Sequence, residues 1–584
     1  MAIRRLITIS VIALLVVFLP SLMVIAGQPI VSIGNESIAW LGWCLFVIFS
    51  SVIKKFRWFI CLRKPEAAPI WILCILFIFA VVGVAQERHP YPFSILIYLA
   101  YLILAALVFL AAFNLADAGE DSLYFVQIFS AIWALSALVG VGVGFYQYFN
   151  NNGFLPFIAA LRDPGRIYGN LRQPNLYATF LCCAIPLMSW LAIERRQINI
   201  YIFYVSLFFL SIGIAMSGSR TGVISLVLMS FFLFCIYRGL FLGRRLIFLL
   251  LPAFYLCAVL IFSWLSEVKL YPYFALDRIR SIEGNITGSR IDMWVTTLEM
   301  IKAYPLFGVG VDRFTFFYLL GNWTNQGVLR FEHTHNIFLQ WAVENGVIAM
   351  TLILSGLVCY FHAIFRVQKT PIVFLAIAFL CPLAVHSFFE FPLWYSFYLF
   401  PCMFFLGFIS HAISGRPTLD GYFDVKIIAL ISSALFCACL LVFVSHQKLD
   451  QMYQKSEKAI DARVLSAQQS LFFRQHVDHA LLITFSPDIA YSSLTQSIYQ
   501  STAQVLVDDR LIYQWAIQSL LNKKVEEAKK LAYSLSYMNP ELFEELRVRS
   551  RKVTMVEVPQ INDFLAFLDN PKPVDISPED LLKP

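Results

Sequence analysis

The chain has 584 residues, 59% of them hydrophobic and 14% charged, against roughly 45–50% apolar and about 25% charged in soluble domains, so an ordinary soluble enzyme is excluded. Its net charge of +7 is unevenly placed: residues 447–584 hold 16 Lys and Arg against 18 Asp and Glu, a net −2, which leaves +9 on the rest. Spread over many loops, that charge makes no clustered basic face of the kind nucleic acid requires.

Apolar runs of about 20 residues, the length that crosses a bilayer, fall at 6–26, 37–53, 70–86, 92–113, 123–148, 175–193, 199–217, 220–237, 245–265, 336–361, 371–387, 392–413 and 425–446. They predict an all-α polytopic membrane protein with about 12–13 transmembrane helices. Arg4 and Arg5 precede the first run, which exceeds the roughly 7–15 apolar residues of a secretory signal and reads as an uncleaved span. With the N-terminus in the cytoplasm, that side gains Arg4, Arg5, Lys54, Lys55, Arg57, Arg63, Lys64, Arg195, Arg196, Arg238, Arg244, Arg245, Arg366, Lys369, Arg416 and Lys426. The short loops opposite hold Arg88, Arg162, Arg166, Arg172 and Arg220; the positive-inside rule therefore sets this orientation and places 447–584 outside the cytoplasm. The chain divides into a membrane core in two halves, 1–265 and 336–446, a large extracytoplasmic loop 266–335, and a soluble helical domain 447–584.

The loop 266–335 is too long for a connector; it carries Tyr271-Pro272, Gly284, Gly288 and a helical stretch from Ile291 to Tyr304 closed by Pro305. In the tail, Leu511, Ile512, Trp515, Ala516 and Leu520, then Ala528, Leu531, Ala532 and Leu535, recur at helical spacing before Asn539-Pro540, which predicts a helix hairpin like one TPR unit.

Under this orientation four polar loops fall on the outer face: 162–175, 217–221, 332–336 and 386–390. Arg166, Arg172 and Arg220 lie at span ends there and Arg290 lies in the large loop. Boundary arginines are costly unless partnered, and the planar guanidinium fork suits a diphosphate; snorkelling to lipid headgroups is the alternative for any one of them. His333 and His335 precede a strong span, where a neutral imidazole could accept a hydroxyl proton. His-x-His also occurs in metal sites, but no third ligand is evident. His386 and Glu390 share a helix face if the span continues and suit electrostatic support more than direct catalysis. Asn170, Gln173 and Asn175 flank Pro174 and offer hydrogen bonds to sugar or diphosphate, or to a helix start. Gly308-Val-Gly310 lacks the third glycine of a nucleotide loop. Eleven of the twelve cysteines lie in apolar runs and Cys61 in a basic loop, with no CxxC pattern; neither a disulfide framework nor a metal site is expected.

The ordered set Arg166-Ile-Tyr-Gly-Asn-Leu-Arg172-Gln-Pro-Asn175, Ser217-Gly-Ser-Arg220-Thr-Gly222, Gly288-Ser-Arg290 with Trp294 and Pro305-Leu-Phe-Gly-Val-Gly310, His333-Thr-His-Asn336 with Glu344-Asn-Gly346, and His386-Ser-Phe-Phe-Glu390-Phe-Pro392 resembles the bacterial protein O-oligosaccharyltransferases of the pilin-glycosylase type. Those proteins share a membrane core with O-antigen ligases and, more distantly, polymerases. The resemblance covers 160–400 in detail. It implies transfer of an assembled glycan from undecaprenyl diphosphate to a Ser or Thr hydroxyl of pilin or another exported protein, at the periplasmic face of a Gram-negative inner membrane. It implies that His335 is the essential histidine, with Asn336 beside it and His333 in support, and that Arg166, Arg172, Arg220 and Arg290 bind or organise the diphosphate. No metal or other cofactor is expected. An O-antigen ligase acting on lipid A-core, or a polymerase, is the alternative. A transporter fits less well, since it would place ionisable groups at mid-membrane.

Overall fold

A computed structural model of the chain describes residues 2–25, 27–53, 64–86, 89–150, 155, 157–161, 166–239, 242–267, 286–323, 331–415, 424–453, 470–484, 493–552 and 558–583. Lys54, Lys55, Arg57, Cys61, Arg63, Arg88, Arg162, Arg416 and the segment 271–284 lie outside them. Among the described residues all regular structure is helical. Ten helices are long and apolar enough to cross a membrane, from Arg5–Leu22 to Val425–Gln451; the shorter apolar helices Ile200–Met216, Arg220–Ile236 and Pro371–Ser387 account for the remaining runs. The protein is an all-α, multi-pass membrane protein.

It forms two compact units. The first comprises Met1–Cys74, Ala100–Glu283 and Leu354–Phe443. At its centre stands the span Pro174–Glu194, 94% buried, whereas Val425–Gln451 is 28% buried and turns its apolar surface outward, as a lipid-facing helix does. The central helix begins where the sequence dictates: Pro174 occupies its first turn, where a missing N–H costs nothing, and the Gln173 side chain caps the Leu176 N–H at 2.6 Å. Aromatic side chains fill the surrounding layer. Phe404 meets Trp43, Phe46, Phe125 and Phe129 with ring centroids 5.5–5.9 Å apart, and Trp133 stacks on Phe180 at 4.6 Å while its indole N–H donates to the Phe180 carbonyl at 3.1 Å. Small residues let neighbouring helices close on the central one: a Cβ at Gly222 would lie 2.6 Å from Ala178 Cβ, and one at Gly213 2.7 Å from Leu181.

The second unit comprises Ile75–Leu99, Gly284–Ile353 and Val444–Pro584. The helices Ile286–Ala303 and Phe314–Leu320 share one apolar core with the C-terminal helices, through Met293, Met300, Phe316, Phe317, Trp515 and Leu531. The hairpin Asp509–Leu521 and Val525–Met538 buries the apolar positions read from its spacing. Glu527 fastens it by accepting from Trp515 Nε1 at 2.8 Å and Ser519 Oγ at 2.6 Å. The hairpin also closes a helix end: Ser534 Oγ and Tyr537 OH donate to the Leu319 carbonyl at 3.3 and 3.0 Å, one of the carbonyls a helix C-terminus leaves without an internal donor. Lys530 is fully buried and donates to Asn322 Oδ1; burial pushes its amine down to about 8.

The helix Ile337–Arg366 is interrupted at Gly346, whose φ is 81°. Backbone groups left by the break take partners from the Pro-Leu-Phe-Gly-Val-Gly turn: Val309 N–H donates to the Val343 carbonyl at 2.8 Å and Gly310 N–H to the Glu344 carbonyl at 3.0 Å, while Val347 N–H donates to the Pro305 carbonyl at 2.7 Å. The backbones approach so closely that a Cβ at Gly346 would sit 2.3 Å from the Leu306 carbonyl oxygen, and one at Gly308 2.4 Å from the Glu344 carbonyl carbon.

Candidate functional site

The predicted site residues divide between the units. In the first, the segment from Arg166 runs into the N-terminus of the central helix, and three side chains hold it. Gln147 reads Gly169 in both directions, accepting from its N–H at 2.9 Å and donating to its carbonyl at 2.8 Å. The Asn170 amide accepts from Ala159 N–H at 3.0 Å and donates to the Phe157 carbonyl at 3.0 Å and the Leu22 carbonyl at 2.5 Å; its hydrogen bonds go to backbone. Arg172 adopts φ 61°, outside the usual range for a non-glycine residue, and donates from Nη1 to the Val31 carbonyl at 2.7 Å.

Asn175 ties three loops together. Its Oδ1 accepts from Ser219 Oγ at 2.7 Å, and its Nδ2 donates to Glu390 Oε1 at 3.3 Å. Ser219 caps the next helix by accepting from Gly222 N–H at 3.0 Å, which sets exposed Arg220 at the first position of Arg220–Ile236. Two helix N-termini therefore open beside one another, with half-buried Arg166 and Arg172 and exposed Arg220 on the same segments. Helix N-termini carry partial positive charge and present amides to anions, so the cluster suits a multiply charged anion. His386 is fully buried, and its Nδ1 meets Thr179 Oγ1 at 2.8 Å. It packs in the protein interior as an anchor between helices.

The second unit holds Arg290, His333, His335 and Asn336. His335 adopts φ 49°, a left-handed conformation that costs a non-glycine residue on the order of 1 kcal/mol. Its N–H donates to His333 Nδ1 at 3.2 Å, and the two rings lie 4.2 Å apart. His333 Nδ1 is thereby an acceptor, which places the proton of its neutral form on Nε2. Asn336 Oδ1 accepts from Phe338 and Leu339 N–H at 3.0 and 3.2 Å and so starts the following helix. Trp294 Nε1 donates to the Thr334 carbonyl at 2.8 Å; Arg290 lies one helical turn before it in Ile286–Ala303, on the same face. The facing imidazoles of His333 and His335 offer nitrogens to a metal, as His-x-His allows.

Several residues built into these arrangements were not singled out from the sequence: Gln147, Thr179, Gln340 and the buried Glu36, whose Oε2 accepts from Ser396 N–H at 2.7 Å and Tyr101 OH at 3.0 Å. Glu36 carried a readable signal, since it immediately precedes the apolar run 37–53 and a carboxylate at a membrane span is a functional candidate by default.

Residues 205–354 match a family described as O-antigen ligase, residues 374–553 one described as the C-terminal part of a virulence factor membrane-bound polymerase, and residues 167–192 one described as protein glycosylation ligase. The chain is similar to the ComP-specific O-oligosaccharyltransferase of Acinetobacter baylyi, 26% identical over 406 residues, 64% of this chain and 66% of that protein. It is also similar to the general O-oligosaccharyltransferase of the same organism, 25% identical over 324 residues, 54% of this chain and 56% of that protein. The matched stretch covers less than two thirds of either relative. These matches support the resemblance: parts of the chain are similar to the O-antigen ligase and protein glycosylation ligase families. The two curated relatives it resembles are both named O-oligosaccharyltransferases.

Proposed function

We propose that the protein transfers a preassembled oligosaccharide from undecaprenyl diphosphate to a Ser or Thr hydroxyl of an exported protein such as pilin, at the periplasmic face of the inner membrane. The observation that carries this reading is the Asn175–Ser219–Glu390 tie, which gathers arginine-bearing segments at two helix N-termini, together with the activity for which the relatives are named. In this mechanism Arg166, Arg172, Arg220 and Arg290 hold the diphosphate and stabilise the charge that grows on it as the anomeric bond breaks. His335 takes the proton of the incoming hydroxyl, its oxygen attacks the anomeric carbon from the face opposite the diphosphate, and configuration inverts. A base of this kind contributes about 10² to 10⁴ in rate. The diphosphate leaves without metal assistance. Glu390 and Asn336 act by holding the loops.

A second reading draws on the ligase and polymerase descriptions of the matched families: the same chemistry, with a sugar hydroxyl of lipid A-core or of a growing glycan as acceptor. One experiment separates them. Membranes containing the chain, His335→Ala or Arg220→Ala receive lipid-linked oligosaccharide with either a pilin-like protein or lipid A-core, with and without EDTA. Glycosylated protein, lost in both variants and retained in EDTA, is the expected outcome. Transfer to lipid A-core alone moves the protein to the ligase reading. Loss in EDTA with recovery on adding one divalent ion overturns metal independence.

A further inference from the structure

His335 is held in a conformation its own backbone disfavours, and such geometry persists only where the surroundings over-determine it. The polar groups that flank it are bound from several sides. Thr334 is fully buried; its N–H donates to Gln340 Oε1 at 2.9 Å, its carbonyl accepts from Trp294 Nε1 at 2.8 Å, and its hydroxyl donates to the Asn336 carbonyl at 2.8 Å. Of these contacts the one from Gln340 depends on a side chain that could turn over. An amide offers an oxygen on one side and an NH2 on the other, and a half-turn would point the NH2 at the Thr334 N–H, donor against donor.

Glu344 prevents that half-turn. It lies one helical turn beyond Gln340, buried like it, and its Oε1 accepts from Gln340 Nε2 at 2.8 Å and from Asp312 N–H at 3.1 Å. The Oε1 that already takes the Asp312 N–H is an acceptor, either as a carboxylate oxygen or as the carbonyl oxygen of the neutral acid. The NH2 of Gln340 must therefore face Glu344, and its oxygen must face Thr334. The break at Gly346 and the turn wedged into it keep the Asp312 N–H beside Glu344.

We infer that Gln340 and Glu344 are positioning residues for His335, acting as a relay of fixed polarity from the 308–312 turn to the Thr334 peptide. Neither is a catalytic residue. This rests on the reading of His335 as the base. When the relay is intact, the imidazole is presented in one orientation; when it is cut, Thr334 loses an acceptor and the loop samples others. A misplacement of about 1 Å at a reacting group costs about 10²-fold in rate.

The test exploits the polarity. Gln340→Leu removes the relay, and Gln340→Glu alone sets two buried carboxylates against each other. Gln340→Glu combined with Glu344→Gln rebuilds the chain in reverse: the new carboxylate accepts from Thr334 N–H and from the new amide, whose oxygen accepts from Asp312. Transfer from lipid-linked oligosaccharide is measured in membranes containing the full chain, alongside melting temperature in detergent. The expected result is a kcat loss of about 10²-fold for Gln340→Leu with KM for the lipid donor unchanged, and recovery to within about tenfold of the parent in the reversed pair. Wild-type kcat in Gln340→Leu, or a reversed pair that melts like the parent yet is no more active than Gln340→Leu, overturns the relay. Full activity in His335→Ala overturns the base reading itself, and the relay with it.

Discussion

His89 shows how a single side chain couples this protein to pH. It is 7% exposed, its Nδ1 accepts from Tyr91 N–H at 3.3 Å, and burial, helped by the Arg313 charge, lowers its pKa from 6.5 to about 4. The unfolded chain therefore binds the proton first as pH falls. Stability is complete above the unfolded value near 6.5 and is lost as pH drops towards 4, by at most on the order of 3 kcal/mol. His89→Gln keeps an acceptor for Tyr91 and removes the titration, so the drop in melting temperature of the full chain between neutral pH and about pH 5 is expected to shrink; an unchanged drop would place the acid sensitivity elsewhere. At this scale the sequence was readable where polar residues interrupt apolar runs: Arg166, Arg172, Arg220, His335 and Glu390 all stood out. Gln147, Thr179 and Gln340 did not, because each lies inside a helix and its purpose is a partner that spacing cannot reveal.

At the scale of elements, hydropathy located the ten helices among the described residues that are long and apolar enough to cross a membrane, since about 20 apolar residues in a row have few other uses. The break in Ile337–Arg366 escaped the same reading. Glycine is common in membrane helices, so Gly346 inside an apolar run looks like any other; only the turn from Pro305 to Gly310 shows why it is there. Gly346→Ala would place a methyl 2.3 Å from the Leu306 carbonyl oxygen at φ 81°, a strain of at least about 1–3 kcal/mol. Gly83, inside the span Pro65–Ala85 with no heavy atom within 4 Å of its Cβ position, is the control: Gly83→Ala is expected to be neutral or stabilising by about 0.5–1 kcal/mol. Melting curves of the two variants in detergent measure the contrast. Equal melting temperatures would show that the 305–310 turn yields.

For the whole molecule, charge and span count predict an orientation that fusions can check. Alkaline phosphatase joined after residue 583 is expected to be active, and the same enzyme joined after Glu194, beside Arg195 and Arg196, inactive; the reverse pattern would invert the topology. What periodicity could not supply is the shared core of Ile286–Ala303, Phe314–Leu320 and the C-terminal helices, because their contacts join residues some 200 positions apart, and helical spacing reports only that a face is apolar, not what covers it.

The interruption at Gly346 also separates two mechanical duties within one helix. The stretch from Val347 to Arg366 spans about 30 Å at 1.5 Å per residue, enough to cross the hydrocarbon layer unaided. A span answers a thicker or thinner bilayer by tilting. The 305–310 turn is bonded to both sides of the break, so a change of tilt in that span has to strain those bonds before it can reach Gln340 and the histidines.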